Sequence, residues 1–200
     1  MKNDMIQNEP ETVGQLFVSA FYDLFDIVVP ALLVVSLVFL FLFRTAGVDG
    51  NSMNTTLNDT DRLLMTNFLY EPQRGDIVII NRFHPGDKEV EEPLIKRVIG
   101  VAGDRVRVEN KAVYLNGKKL AEPYVNDEYI NDPRLDEVVV PEGCIFVMGD
   151  HRDDSMDSRQ LYLMQNDFFS VNDVMGKAVW RILPAKDFGT VYYNLPSGDQ

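Results

Sequence analysis

The sequence holds one cysteine, one tryptophan and two histidines, and far fewer cationic than anionic side chains. The single cysteine, Cys144, excludes an internal disulfide framework but leaves the compartment open. It lies in the apolar run CIFVMG, the setting of a small buried hydrophobe rather than a reactive thiol. The histidines, His84 and His151, stand far apart, and neither begins a ligand-spaced cluster, so no metal centre or cofactor is expected. Lys and Arg number 19 against 31 Asp and Glu, a net charge of −12. That balance argues against a nucleic-acid partner, which would need clustered cations, and reads as solvated surface. No glycine-framed GxSxG elbow is present, and His151, flanked by Asp150, Asp153 and Asp154, is expected to bond within its own polar loop. Internal repeats and low-complexity tracts are also absent.

What is present first is an uncharged run over 27–43, IVVPALLVVSLVFLFLF, extended by Leu24 and Phe25 beyond Asp26. Roughly 20 apolar residues cross a hydrocarbon core of about 30 Å, so a transmembrane helix is predicted over 24–43. Pro30 then falls in its first turn, where a missing N–H costs least. The leader MKNDMIQNEPETVG is acidic and phenylalanines fill the end of the run, which argues for a permanent anchor over a cleaved signal. Segment 1–23 is expected to be cytoplasmic or interfacial. Segment 11–25, with TVGQLFVSAFYDLF, reads equally as an amphipathic lead-in or as an extension of the same helix. Lys2 and Arg44 flank the run, so charge alone gives no orientation.

Beyond Arg44 the pattern changes to short β-branched runs bounded by turn residues: GDIVII (75–80), LIKRVIGV (94–101), RVRV (105–108), AVYLNG (112–117), EVVVP (137–141), CIFVMGD (144–150) and GKAVWRILP (176–184). This predicts a mainly β, antiparallel domain over 44–200. Asn116-Gly117 suits a type I′ hairpin, and Pro141-Glu142-Gly143 a reverse turn with Pro at i+1. Segment 167–174 suggests a short helical or irregular turn, and 121–136 an excursion from the sheet.

Lys96 stands out because a strand alternates its faces. It shares one with Leu94 and Val98, away from Ile95 and Arg97. A lysine so placed either snorkels at an edge or sits in an apolar setting that lowers its pKa. Bringing it near neutrality takes about 4–5 kcal/mol, within reach of a desolvated site. A neutral amine of that kind takes a proton from a serine hydroxyl. A candidate serine, Ser52, lies in the polar stretch GVDGNSMNTTLNDTDRLL, with eight residues between it and Phe43. A third piece, MGDHRDDSMDSR (148–159), crowds charges directly after an apolar strand and is either a solvated loop or ion-paired scaffolding.

In order, GNSMNTTL (50–57), RGDIVII (74–80), KRVIGVAGD (96–104) and MGDHRDDSMDSR (148–159), after an apolar anchor, resemble type I signal peptidases, the membrane-bound Ser-Lys endopeptidases. The likeness spans nearly the whole chain. It implies a signal-peptidase/LexA-like β domain on a membrane helix, with Ser52 as nucleophile, Lys96 as general base and the Ser52 N–H as oxyanion donor. Ser155 would orient the lysine, Asp157 with Arg159 and Arg97 with Asp150 would form supporting ion pairs, and Met53 would line the substrate pocket or simply pack. The implied partners are signal peptides of exported preproteins, the lipid bilayer and, nearby, the secretion translocon, with the N-terminus cytoplasmic and the catalytic domain outside.

Three positions depart from the family pattern. Thr55 stands where proline is common, which would loosen the loop. Gly50 stands where many members carry a serine that gives a second oxyanion donor, and His151 replaces a usual asparagine. The alternatives are a LexA-like self-cleaving regulator, disfavoured by the anchor, and an inactive membrane-anchored scaffold on a degenerate protease fold. Eight extended residues reach at most about 28 Å, so the nucleophile of the active reading would stay near the membrane surface.

Overall fold

The structure, a computed structural model, describes residues 13–81, 93–125 and 134–191. His84, the first part of the leader and half of the expected excursion over 121–136 lie outside them. The chain divides into two compact units, one ending at Leu42 and the other beginning at Phe43.

The first unit contains one helix, α1 (Val13–Leu42). It begins well before 24, so from Val13 on the stretch before the apolar run is an extension of the same helix. Pro30 accordingly lies in the helix interior, not in its first turn. There it removes one backbone bond and crowds the carbonyl four residues earlier, a fault tolerated more readily in membrane helices than in water. None of the described side chains of α1 is buried. Its part Phe17–Leu42, 26 residues, is long and apolar enough to cross a membrane. At 1.5 Å per residue it measures roughly 39 Å.

The second unit is antiparallel β. One sheet runs β1 (Phe43–Gly47), β2 (Arg62–Thr66), β11 (Val174–Leu183), β3 (Ile77–Ile80), β4 (Leu94–Val101), β9 (Cys144–Met148), β10 (Phe169–Ser170), with β12 (Gly189–Thr190) pairing β11. The other runs β7 (Lys118–Lys119), β6 (Ala112–Leu115), β5 (Arg105–Glu109), β8 (Leu135–Val139). The β-branched runs form strands because alternate side chains enter packed clusters. All four residues of β3 are buried, with Ile77 and Ile79 in one cluster and Val78 and Ile80 in another. A strand covered on both faces reads as a continuous apolar run.

Asn116 and Gly117 close the β6–β7 hairpin with φ of 52° and 81°, as a type I′ turn demands. The reverse turn differs in register. Cys144 N–H donates to Pro141 O, so Pro141 is residue i, and Gly143, with φ 73°, supplies the positive φ at i+2. Segment 167–174 divides into β10 and a 3₁₀ turn, Val171–Asp173. A helix that the sequence reading passed over, α2 (Ser158–Gln165), starts inside the charged loop. Asp157 caps it through a reciprocal capping box with Gln160.

Candidate active site

Two elements carry the central pair. β4 pairs with β3 through Val78↔Lys96 and with β9 through Arg97↔Met148, which fixes Lys96 beside the start of the charged loop. Ser52 sits in the segment after β1. That segment is pinned at Val48, whose N–H donates to Asp61 O and whose O accepts from Thr60 N–H. Gly50 turns the chain at φ 83°, a conformation favouring glycine, and its N–H donates to Asp59 Oδ1 at 3.1 Å. After Ser52, the N–H groups of Thr56 and Leu57 both donate to Met53 O, winding one tight turn.

Lys96 Nζ lies 2.6 Å from Ser52 Oγ and donates to it. The lysine is 2% exposed. Loss of solvent pushes its pKa down from 10.5 to about 8, against the opposing pull of Asp157, Asp150 and Asp154. Two of these carboxylates are held in ion pairs, Asp157 by Arg159 and Asp150 by Arg97, so their pull is partly neutralised and burial prevails. At pH 7 a minority of the molecules therefore carries a neutral amine. An amine with that population, in contact with a serine hydroxyl, is equipped to take its proton.

The loop behind the pair is a bonded lattice. Gly149 N–H is 3.1 Å from Ser155 Oγ and 3.0 Å from Asp157 Oδ2, and donates to both. Gly149 O accepts from Arg152 Nε at 3.0 Å, while Arg152 grips Glu122 through Nη1 at 2.9 Å and Nη2 at 2.5 Å. Arg159 donates to Asp157 through Nε and Nη2, both at 2.9 Å, and to Arg152 O at 2.8 Å. His151 N–H donates to Ser52 O at 3.0 Å, joining the lattice to the peptide of Ser52 itself.

Arg97 and Asp150 make a bidentate pair, Nε–Oδ1 2.8 Å and Nη2–Oδ2 2.7 Å, with both side chains essentially inaccessible. Arg97 Nη1 also donates to Gly75 O at 2.9 Å, and its guanidinium lies 4.1 Å from the centre of the Tyr124 ring. Thr56 Oγ1 donates to Asp150 Oδ2 at 2.5 Å, so this pair braces the turn that follows Ser52. Charges so deeply buried are tolerated because every one is matched by an opposite charge and by hydrogen bonds.

The structure brings Ser52, Lys96, Ser155, Asp157, Arg159, Arg97 and Asp150 into one neighbourhood, with some roles altered. The partners found for Ser155 Oγ are Gly149 N–H and Asp157 Oδ2, to which it donates at 2.8 Å; Lys96 is not among them. Its hydroxyl serves the loop, because Asp157 offers a stronger acceptor than an amine. Met53 is 1% exposed and packs in the cluster with Leu57 and Ile95. The His151 ring reaches out of its own loop to Asn51 O, at 3.3 Å from Nδ1. Thr55 tightens the loop where loosening was expected, since its hydroxyl donates to Tyr124 O at 2.9 Å. Gly50 carries no hydroxyl, and among the described residues no hydrogen bond is found for Ser52 N–H.

Sequence reasoning missed Gly149, Arg152, Glu122 and Tyr124. Arg152 sits inside the quoted loop, but its partner lies thirty positions away, and no local pattern marks such a pair. Next to the site, a groove of about 650 Å³ runs along β1, lined among others by Ala46, Val48, Met65, Ile79 and Ile95. Ile95 adjoins Lys96 in the chain, although neither Ser52 nor Lys96 lines the groove itself. Among the described residues β1 pairs with β2 alone and stands at the end of its sheet.

Comparisons with known proteins place these features in context. A family model described as "Signal peptidase, peptidase S26" matches residues 21–183. A signal peptidase I of Bacillus caldolyticus is 37% identical over 173 residues, covering 79% of this chain and 89% of that protein. Signal peptidase I T of Bacillus subtilis strain 168 is 40% identical over 143 residues, 66% of this chain and 72% of that one. A crystal structure of a signal peptidase I from Enterococcus faecalis V583 aligns with a TM-score of 0.42 at 30% identity, over 54% of this chain and 97% of that chain.

Proposed function

This chain belongs to the signal peptidase family, peptidase S26, and we propose that its Ser52 is the nucleophile and its Lys96 the general base. It is a serine peptidase that removes signal peptides from preproteins. The observation that carries the residue assignment is the 2.6 Å contact between Nζ and Oγ, made by a lysine whose burial lowers its pKa to about 8.

In the reaction, neutral Lys96 Nζ takes the Ser52 proton as Oγ attacks the scissile carbonyl carbon. The tetrahedral intermediate collapses to an acyl-enzyme while the ammonium returns the proton to the departing amine. Water then enters, gives its proton to Lys96 and attacks the ester, and as the acid is released the ammonium returns that proton to the departing Ser52 Oγ. Ser52 N–H supplies one donor to the oxyanion, and the side chain at 50 supplies none. The family's accessory serine falls at Ser155, which acts on the lysine only through the Asp157 charge. The position of β1 at the end of the sheet suits an extended substrate added as a further strand.

The family and the apolar helix fit a membrane-anchored protein. We place α1 as a single span, with the N-terminus in the cytoplasm and the β unit outside, where the secretion translocon delivers its substrates. Protease added to intact cells would then degrade the β unit; full protection would reverse the orientation.

The residue assignment is tested by cleavage of a preprotein in detergent. Wild type is expected to cut and Ser52→Ala to fail by several orders of magnitude. Equal and poor cleavage by both would favour a scaffold on a protease fold, the reading that the absence of a second oxyanion hydroxyl supports.

A further inference from the structure

The stretch AEPYV (121–125) follows β7 and opens the expected excursion from the sheet. Pro123 presets the φ that the second position of a reverse turn requires, and the turn closes, with Val125 N–H donating to Glu122 O at 3.0 Å. The turn is rooted in the smaller sheet. Leu120 N–H donates to Val113 O at 2.8 Å, and Tyr124 packs against the buried cluster that holds Val113, Leu115 and Leu120.

From that root, contacts run to three separate parts of the site. Tyr124 O accepts from Thr55 Oγ1 in the turn after Ser52. The Tyr124 ring covers the guanidinium of Arg97, the residue next to Lys96 in β4. Glu122 receives Nη1 and Nη2 of Arg152, whose Nε donates to Gly149 O and whose own O accepts from Arg159. Tyr124 Oη donates to Glu122 Oε1 at 3.0 Å, which ties the acid to the ring.

Ser52 lies in a turn segment and not in a strand, so its placement depends on ties of this kind and not on a ladder. The Arg152 and Glu122 side chains are 4% and 9% exposed. Burying two charges costs much of what their attraction returns, so such a pair adds little net stability over apolar residues of the same shape. What it does supply is direction, because two parallel N–H···O bonds fix an angle as well as a distance.

We propose that Glu122 and Tyr124 are positioning residues for the reaction: a clasp from the smaller sheet that sets Ser52 Oγ against Lys96 Nζ by holding the Ser52 turn, β4 and the charged loop to one another. This rests on the reading of Ser52 and Lys96 as the reacting pair. The clasp acts through Thr55, Arg97 and Arg152. Its arms meet in one turn, so they work as a unit, and releasing one already lets the Ser52 turn drift.

The test measures kcat and KM of the full chain in detergent on a short soluble peptide, beside the thermal midpoint of each variant. Thr55→Val removes one hydroxyl from an exposed residue, and Glu122→Gln removes the charge that faces Arg152. Each should lower kcat about tenfold and leave KM within about twofold, since a drifting Ser52 impairs the chemical step and not peptide binding. The double variant should be little slower than either single one, although the two side chains belong to different arms. Tyr124→Leu should lose activity as Glu122→Gln does, and Tyr124→Phe, which keeps the ring over Arg97, should recover most of it. A merely structural role gives lower thermal midpoints with kcat unchanged in the folded enzyme, and that result overturns the clasp, as does a double variant whose losses multiply. Should Glu122→Gln fail to fold, Thr55→Val decides by itself, and wild-type kcat in it overturns the clasp. Ser52→Ala separates the two readings. Equal cleavage by wild type and Ser52→Ala removes the reacting pair and the clasp with it, whereas an inactive Ser52→Ala beside fully active Thr55→Val and Glu122→Gln removes the clasp alone.

Discussion

Gly149 lies so close to Ser52 that a methyl group on its Cα would stand 2.5 Å from the Ser52 carbonyl oxygen. The same methyl would meet Ser155 Oγ at 2.3 Å. One glycine thus sits between the Ser52 peptide and the charged lattice behind it, and its N–H and C=O are both bonded into that lattice. Its missing side chain is what lets the two approach.

Gly149→Ala should therefore be among the most damaging small substitutions in the chain. The obstacle on one side is backbone, so relief requires Ser52 to move. Overpacking of this kind costs about 1–3 kcal/mol, and displacement of the nucleophile by even 1 Å costs on the order of 10²-fold in rate. Thermal unfolding and peptide cleavage measured on the same preparation would show a small stability loss beside a large activity loss. Near-normal activity would show that Ser52 is not held by this contact.

The pH dependence follows from burial of Lys96. Only the neutral amine accepts the serine proton, and its population grows as pH rises through about 8. The free-enzyme profile, kcat/KM against pH, should rise with an acid limb whose midpoint lies near 8, well below 10.5. Lys96→Arg keeps a cation that stays protonated at every working pH, so activity should vanish with the fold intact. Cleavage by that variant at more than a trace would exclude the lysine base.

The same burial has a cost in stability, with a definite sign. Below about 8 the lysine is charged in both the folded and unfolded states, and the folded state carries the full desolvation penalty. Between about 8 and 10.5 the unfolded chain binds more protons than the folded one, so this group adds stability as pH rises. Lys96→Met, which removes the charge and keeps the bulk, should be more stable than wild type at pH 7. The gain should be on the order of 3 kcal/mol or less, shrinking as pH approaches 10. Urea midpoints at pH 7 and 10 would check it; a constant difference would contradict the desolvation account.

Asp150→Asn removes one member of a fully buried pair and leaves Arg97 charged with no anion to face. Such single deletions cost about 3–5 kcal/mol. Because Thr56 also bonds Asp150, the turn after Ser52 should loosen, and activity should fall further than stability alone explains. Replacing both partners with apolar residues should recover much of the stability and little of the activity. Denaturant titration beside cleavage rates separates the two effects.

The sequence was most readable where one short segment carries its own pattern. The β-branched runs became β3, β4, β5, β6, β8, β9 and β11, and Asn116-Gly117 became its hairpin, because alternation and turn chemistry are local. β1 and β2 went unread. FRTAG and RLLMT are short and broken by charge, and they become strands only by pairing with each other and, for RLLMT, with β11. The helix α2 was within reach, since Asp157 and Gln160 stand at capping-box spacing, but the surrounding charges suggested a loop.

What the sequence determined by itself was the apolar helix, the β class, and the identities of a serine, a lysine and two ion pairs in a family order. Each depends on residues close in the chain or on motif sequence. What tertiary structure decided was how far those groups stand from one another. That Lys96 meets Ser52, that Ser155 serves Asp157, that Gly149 abuts Ser52 and that Arg152 reaches Glu122 all depend on strand register. A register shift of one residue would turn Lys96 to the other face of its strand, and no local pattern shows which register the sheets adopt.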